Sequence, residues 1–148
     1  MAASLRAQAI RWLARREHSR VELEQKLLAK GWDKSEVRAA LDDLTKLGYL
    51  SDARYACALT AQKAGRYSRR GIAAELKAKG VGSLEIQCAL AQASLDDEAA
   101  LTELWQRRFG RAPADEREKA RQVRFLQSRG FALSAILKLL RRADVSGS

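Results

Sequence analysis

The chain has no asparagine, a single proline, a single histidine and two cysteines among its 148 residues. Cys57 and Cys88 are too few for a disulfide framework in a chain of this size. Both fall on helical faces beside alanines, which predicts small buried hydrophobes rather than reactive thiols. With His18 as the one imidazole, the dispersed His/Cys set of a zinc site cannot be assembled. A lone histidine also lacks the partners of acid–base catalysis, and at a helix end beside Arg16, Glu17 and Ser19 it reads as a surface or capping residue. There is no P-loop and no GxGxxG run; Gly80-Val81-Gly82 reads as a helix terminus. Asp42-Asp43 and Asp96-Asp97-Glu98 suit a solvated face or a helix N-terminus better than paired acid–base work. The expectation is therefore a protein that is not an enzyme, with no catalytic residue, cofactor or metal. No apolar run approaches the ~20 residues of a membrane span, and the first residues lack the apolar core of a signal peptide. The chain reads as soluble and cytoplasmic, with no membrane partner.

What it has instead is positive charge. Lys and Arg number 28 against 18 Asp and Glu, a formal net charge of +10. The excess is even: residues 1–50 carry +3, residues 51–95 carry +4 and residues 96–148 carry +3. Distributed charge of this kind predicts a long basic face, suited to a polyanion or to a partner rich in carboxylates. Arginine outnumbers lysine 19 to 9. Its planar fork grips phosphate and carboxylate bidentately, although GC-rich coding would give the same bias. The hydrophobic share of 47% is enough to bury a core, so wholesale disorder is excluded.

The chain also repeats itself. Gly31, Gly80 and Gly130 stand 49 and 50 residues apart. A base precedes each (Lys30, Lys79, Arg129) and an apolar residue follows (Trp32, Val81, Phe131). Leu27, Leu76 and Leu126 lie four residues upstream. Downstream, Val37, Ile86 and Ile136 open a stripe that continues through Leu41, Leu90 and Leu140 at the helical i, i+4 spacing. Each copy reads as three helices, and its glycine ends the second of them in a left-handed conformation. Ser19 with Glu22, and Asp33 with Glu36, are capping patterns. The first helices read as Leu5–Arg16, Asp52–Ala64 and Asp96–Phe109, and Pro113 suits the first turn of a helix. The third copy is atypical, with Gln122 where the others have Leu23 and Ile72. The predicted class is all-α: helical repeats over 1–50, 51–95 and 96–143, with a disordered tail over 144–148. Units this small bury only a marginal core alone, so copies should pack end to end in an elongated, curved array.

A base-rich joint recurs before the second helix of each copy. Copy one has Arg15, Arg16 and Arg20. Copy two has Arg66, Arg69 and Arg70 around Tyr67, and copy three has Arg107, Arg108 and Arg111 around Phe109. These nine arginines are the candidate contacts to a partner or to nucleic acid. No dimerisation element is visible, so a monomer is expected.

Two stretches, Leu44-Thr-Lys-Leu-Gly-Tyr-Leu-Ser-Asp-Ala-Arg-Tyr-Ala56 and Arg66-Tyr-Ser-Arg-Arg-Gly-Ile-Ala-Ala-Glu-Leu-Lys-Ala-Lys-Gly-Val81, resemble the RecX family of recombination regulators. With the three-copy layout the resemblance covers nearly the whole chain. It departs at Ser68-Arg69, where family members tend to have Gly-Pro, and at Gly71, where they have a polar or basic residue. The resemblance implies a protein that binds RecA, free and in its filament on single-stranded DNA. It also implies lowered RecA ATPase, strand exchange and coprotease activity, in DNA repair, recombination and the SOS response. A basic rod could lie along the filament groove, and it leaves room for weak direct DNA binding. The alternative is a helix-turn-helix DNA-binding regulator with no RecA role, which short turns such as Lys30-Gly31-Trp32-Asp33 permit. Against it stands the lack of an Asn/Gln-rich recognition helix.

The repeat layout predicts the size of the molecule in solution. A compact domain of this length has a radius of gyration of about 15 Å. Solution scattering should give a clearly larger value for the monomer; a value of about 15 Å would rule out the extended array.

Overall fold

The structure is a computed structural model that describes residues 2–146, with side chains over 5–145. The described residues form helices and no strand. These are α1 (Ala2–Arg15), α2 (Arg20–Ala29), α3 (Lys34–Lys46), α4 (Asp52–Lys63), α5 (Arg69–Ala78), α6 (Ser83–Ala93), α7 (Asp97–Arg108), α8 (Glu116–Ser128) and α9 (Leu133–Ser146). They fall into three sets of three, one per repeat. Contacts divide the chain within the second repeat. One unit comprises residues up to 59 with 76–92, and the other comprises 60–75 with 93–148.

The glycine that ends each second helix explains the columns of the repeat. Gly31, Gly80 and Gly130 have φ of +96°, +81° and +92°. In each repeat the residue after the glycine donates its N–H to the leucine carbonyl five residues back. These bonds are Trp32 to Leu27 (3.3 Å), Val81 to Leu76 (3.0 Å) and Phe131 to Leu126 (3.3 Å). The glycine N–H bonds Leu28, Lys77 or Gln127. This is the Schellman closure, which satisfies the last carbonyls of the helix and turns an apolar side chain back onto it. In the first unit Leu23, Leu27, Val37, Leu41 and Leu44 are buried in one core with Leu5 and Ala9. In the second, Leu101, Trp105, Leu126, Phe131, Ile136 and Leu140 form another.

The helix starts follow the capping patterns. Ser19 Oγ accepts the Glu22 N–H at 3.1 Å. Asp33 accepts from the Ser35 and Glu36 amides. Asp96 and Asp115 cap α7 and α8. Pro113 therefore lies outside α8, two residues ahead of its N-cap, and not in the first turn. The extra length of that joint is tied down by Gln122. Its Nε2 donates to the Arg111 carbonyl (3.2 Å) and its Oε1 accepts from Trp105 Nε1 (2.9 Å). A polar side chain in a leucine register is thus satisfied on both ends, as burial requires.

Each unit also contains one junction between successive repeats, built the same way. In the first, Ser19 Oγ donates to the Lys79 carbonyl at 2.8 Å, and the Arg20 N–H donates to Asp52 Oδ1 at 2.8 Å. In the second, the Ser68 N–H donates to the Arg129 carbonyl at 3.0 Å, and the Arg69 N–H donates to Asp97 Oδ1 at 2.9 Å. The start of one second helix thereby meets the glycine turn that ends the next. Approach is close enough that a Cβ on Gly80 would overlap the Val21 side chain, and one on Gly71 would lie 2.5 Å from the Arg129 carbonyl oxygen.

Three further expectations are corrected. Cys57 and Cys88 are exposed, because Ala56 and Ala89 beside them take the core-facing positions; Cys57 Sγ lies 3.3 Å from Gln92 Oε1. His18 is buried, 2% exposed, with its ring held between the Arg16 carbonyl and Lys26. The chain from Asp144 to Ser146 continues α9, so the tail expected from residue 144 is helical that far. Residues 147 and 148 lie outside the described residues.

The glycines give a graded prediction. Gly31→Val meets open space and costs only the left-handed strain of a β-branched residue, roughly 1–2 kcal/mol. Gly80→Val adds the overlap with Val21 and should destabilise by about 1–3 kcal/mol more, as overpacking does. Urea midpoints of the two variants check the order; equal midpoints would show that the junction is not closely packed.

Candidate functional site

The three basic joints differ in how much of their charge is already spent. In the first, Arg16 grips Glu22 through two bonds, at 3.1 and 2.6 Å. The bond to Glu22 raises the Arg16 pKa further, and its counterpart holds the Glu22 carboxyl below the usual range although burial opposes this. Arg20 pairs with Asp42 at 2.7 Å. Arg54 pairs with Glu17 at 3.0 Å. Of the first joint's three candidates only Arg15 is exposed without a partner among the described residues. Local carboxylates therefore neutralise most of this joint.

The second and third joints lie in one unit and touch: Arg107 Nη2 donates to the Gly65 carbonyl at 3.3 Å. Arg66, Arg69, Arg70 and Arg111 are exposed, and their guanidinium groups have no carboxylate partner among the described residues. Between them runs an alternating series of cations and rings. Lys63 Nζ sits 4.8 Å from the Tyr67 ring centre, and the Arg129 guanidinium lies 4.8 Å from Tyr67 and 4.9 Å from Phe125. Arg108 covers Phe125 at 4.5 Å. Phe109 meets Phe125 edge to face, with ring centres 5.6 Å apart. Arg129 also bonds the Tyr67 hydroxyl. Each such contact is worth about 0.5–2 kcal/mol, depending on exposure. Lys63 also pairs with Glu75 at 3.7 Å, but the ring contacts hold Arg108 and Arg129 in place without cancelling their charge, as an ion pair would.

Of the nine arginines expected at the site, the structure brings Arg66 and Arg107 onto neighbouring joints, with Arg69, Arg70, Arg108 and Arg111 flanking them. Arg16 and Arg20 are held elsewhere in ion pairs. Arg129 was legible only as the base before a glycine, and its place between two rings has no signature in one dimension. Arg117, Arg121 and Arg124 were also missed; their i, i+4, i+7 spacing on α8 is the signal that marks them as one row. No group of three or more His, Cys, Asp or Glu able to hold a metal occurs among the described residues. None of the described helices is long and apolar enough to cross a membrane.

Family profiles described as the first, second and third three-helix domains of RecX match residues 6–44, 51–90 and 96–140. The chain belongs to the RecX family. It is 44% identical over 141 residues to the regulatory protein RecX of Leptothrix cholodnii, covering 95% of this chain and 90% of that one. It is 40% identical to RecX of Ralstonia pickettii over 95% of this chain and 89% of that one. The crystal structure of RecX from Lactobacillus salivarius shares the fold, with a TM-score of 0.67 at 17% identity over 97% of both chains. A second RecX crystal structure superposes with a TM-score of 0.71 at 18% identity, over 95% of this chain and 73% of that one. RecX proteins are regulatory proteins and not enzymes.

Within the first RecX domain, the buried imidazole has a defined protonation state. His18 Nδ1 lies 3.1 Å from the Arg16 carbonyl and Nε2 lies 2.9 Å from Lys26 Nζ. A carbonyl only accepts and an ammonium only donates, so Nδ1 carries the proton and the ring is neutral. Burial, with Arg16 and Lys26 nearby, pushes its pKa below the ordinary 6.5. The unfolded chain then binds a proton that the folded chain refuses, so stability is full above pH 6.5 and falls as the pH drops towards the folded value. Urea midpoints should decline from pH 7.5 to pH 5.5, and His18→Gln should flatten that decline. Glu22 adds its own dependence only below about pH 4.5, outside this window. Identical slopes for both proteins would contradict the assignment.

Proposed function

We propose that this chain binds the RecA recombinase, free and as its filament on single-stranded DNA, and lowers its ATPase, strand-exchange and coprotease activities. It acts as a cytoplasmic monomer lying along the filament groove, in the setting of DNA repair, recombination and the SOS response. The second and third basic joints make the contact, through Arg66, Arg69, Arg70, Arg107, Arg108 and Arg111. Arg15 adds to it, and Arg16 and Arg20 contribute less because Glu22 and Asp42 hold them. The observation that carries this reading is the meeting of two arginine-rich joints whose exposed guanidinium groups have no carboxylate partner among the described residues. Such groups can take a partner's carboxylates or phosphates without first breaking an internal pair. Regulation by binding alone agrees with a family that is regulatory and not enzymatic.

Reversing Arg69 and Arg70 to Glu tests the assignment. Both side chains are exposed, so helical circular dichroism should stay unchanged. Inhibition of the DNA-dependent ATPase of RecA should weaken by about tenfold or more. Each exposed pair lost is worth up to ~1 kcal/mol, and reversal adds repulsion. Wild-type inhibition should also decline with salt, since exposed charges are screened over ~8–10 Å near physiological ionic strength. Full inhibition by the folded double variant would overturn the assignment of the joint. Failure of the wild-type chain to bind RecA in a pull-down, with binding to DNA alone, would favour a DNA-binding regulator instead.

A further inference from the structure

Beside the third joint, the chain between α7 and α8 and one face of α8 enclose an open groove of about 660 Å³. Five guanidinium groups line it: those of Arg108, Arg111, Arg117, Arg121 and Arg124. Its two carboxylates are already engaged. Asp115 caps α8 by accepting the Glu118 N–H at 2.8 Å. Glu118 pairs with Arg121 at 3.4 Å and accepts from Gln122 Nε2 at 3.4 Å. Arg111, Arg117 and Arg124 are exposed and have no ion-pair partner among the described residues.

The arrangement is ordered. Arg117, Arg121 and Arg124 share one face of α8 and span about 10 Å along its axis at 1.5 Å per residue. Arg111 faces this row from the joint, where Gln122 pins its carbonyl. Arg121 lies 5.8 Å from the Phe109 ring, and Arg108 lies over Phe125.

We propose that this groove binds the phosphodiester backbone of a single-stranded nucleic acid. The proposal deepens the RecA-filament reading and rests on it for its setting, by assigning the strand a place of its own on the third repeat. Three guanidinium groups spread over about 10 Å can meet two or three successive phosphates of a single strand. Guanidinium planes and the Phe109 ring beside the row supply stacking surfaces that accept any base. Adenine and cytosine edges are read by free amide and carboxylate groups. Gln122 spends its amide on Trp105 and Arg111, and both carboxylates are taken, so the groove has no dedicated reader for adenine or cytosine and its free guanidinium groups face the backbone phosphates. An acidic polypeptide fits less well. Protein partners are anchored by large apolar side chains in pockets, and the groove offers only Phe109, Ala112 and Ala114 as apolar lining.

The test is fluorescence anisotropy of a labelled oligo-dT with the full chain, between 50 and 200 mM salt and without RecA. Arg117→Gln with Arg124→Gln should weaken binding about tenfold per lost contact at 50 mM salt and lower the salt slope by about 1.4, at about 0.7 per contact. Lys34→Gln with Lys46→Gln, exposed on α3, removes the same charge elsewhere and should change affinity much less. Unchanged affinity and slope in the arginine variant would overturn the proposal, as would an equal loss in the lysine variant. So would loss of poly-glutamate binding in the arginine variant with oligo-dT binding intact, since the groove would then serve a polypeptide. Because RecA is absent, failure here leaves the Arg69 and Arg70 experiment readable, and failure there leaves this one readable.

Discussion

The meeting of helix ends at the repeat junctions governs the rest of the architecture. A helix leaves four amides bare at its start and four carbonyls bare at its end. Here the glycine turns satisfy the last carbonyls of α2, α5 and α8 locally. The remaining ones, on Lys79 and Arg129, are given to the starts of α2 and α5 in the preceding repeat. Aspartates that open the following repeat, Asp52 and Asp97, take an amide from the same helix starts. A positive dipole end is thus met by a negative one and by a carboxylate. Small three-helix units need such help, because each buries little apolar surface alone.

Charge placement follows from that frame. Joint one is crowded by acidic neighbours at Glu17, Glu22 and Asp42, and its cations close onto them. Joints two and three have rings where joint one has carboxylates. A guanidinium against an aromatic face keeps its charge and most of its donors, so it is fixed in position and still able to bind. The evenly spread net charge therefore conceals an uneven distribution of available charge.

Much of the fold was legible. The columns at Gly31, Gly80 and Gly130, at the leucines four before and at the apolar residues one after are the positions a Schellman turn requires, so a local rule was written into the sequence three times. Gln122 stood out for the opposite reason, as a polar residue in an apolar column. Exposure at Cys57 and Cys88 was misread because alanine and cysteine alternate at the edge of an apolar stripe, where spacing alone does not say which turns inward. His18 was misread because its ring is held by Lys26, eight residues on, a contact that the neighbouring residues do not announce. Contact between joints two and three depends on residues some 40 positions apart, as Gly65 and Arg107 are, and no local pattern encodes it.

Gln122 and the added turn of α8 also mark where the junction contact is not repeated. Twelve residues before the glycines of the first two repeats stand Ser19 and Ser68, which receive the turn of the repeat that follows. The same register in the third repeat is Glu118, already inside α8, with its amide given to Asp115 and its carboxylate to Arg121. At the other extremity, Gly31 faces open space. The third helix start therefore presents no hydroxyl to a further glycine turn, and a side chain at Gly31 would meet nothing within 4 Å, so the contact between successive repeats is made twice among the described residues.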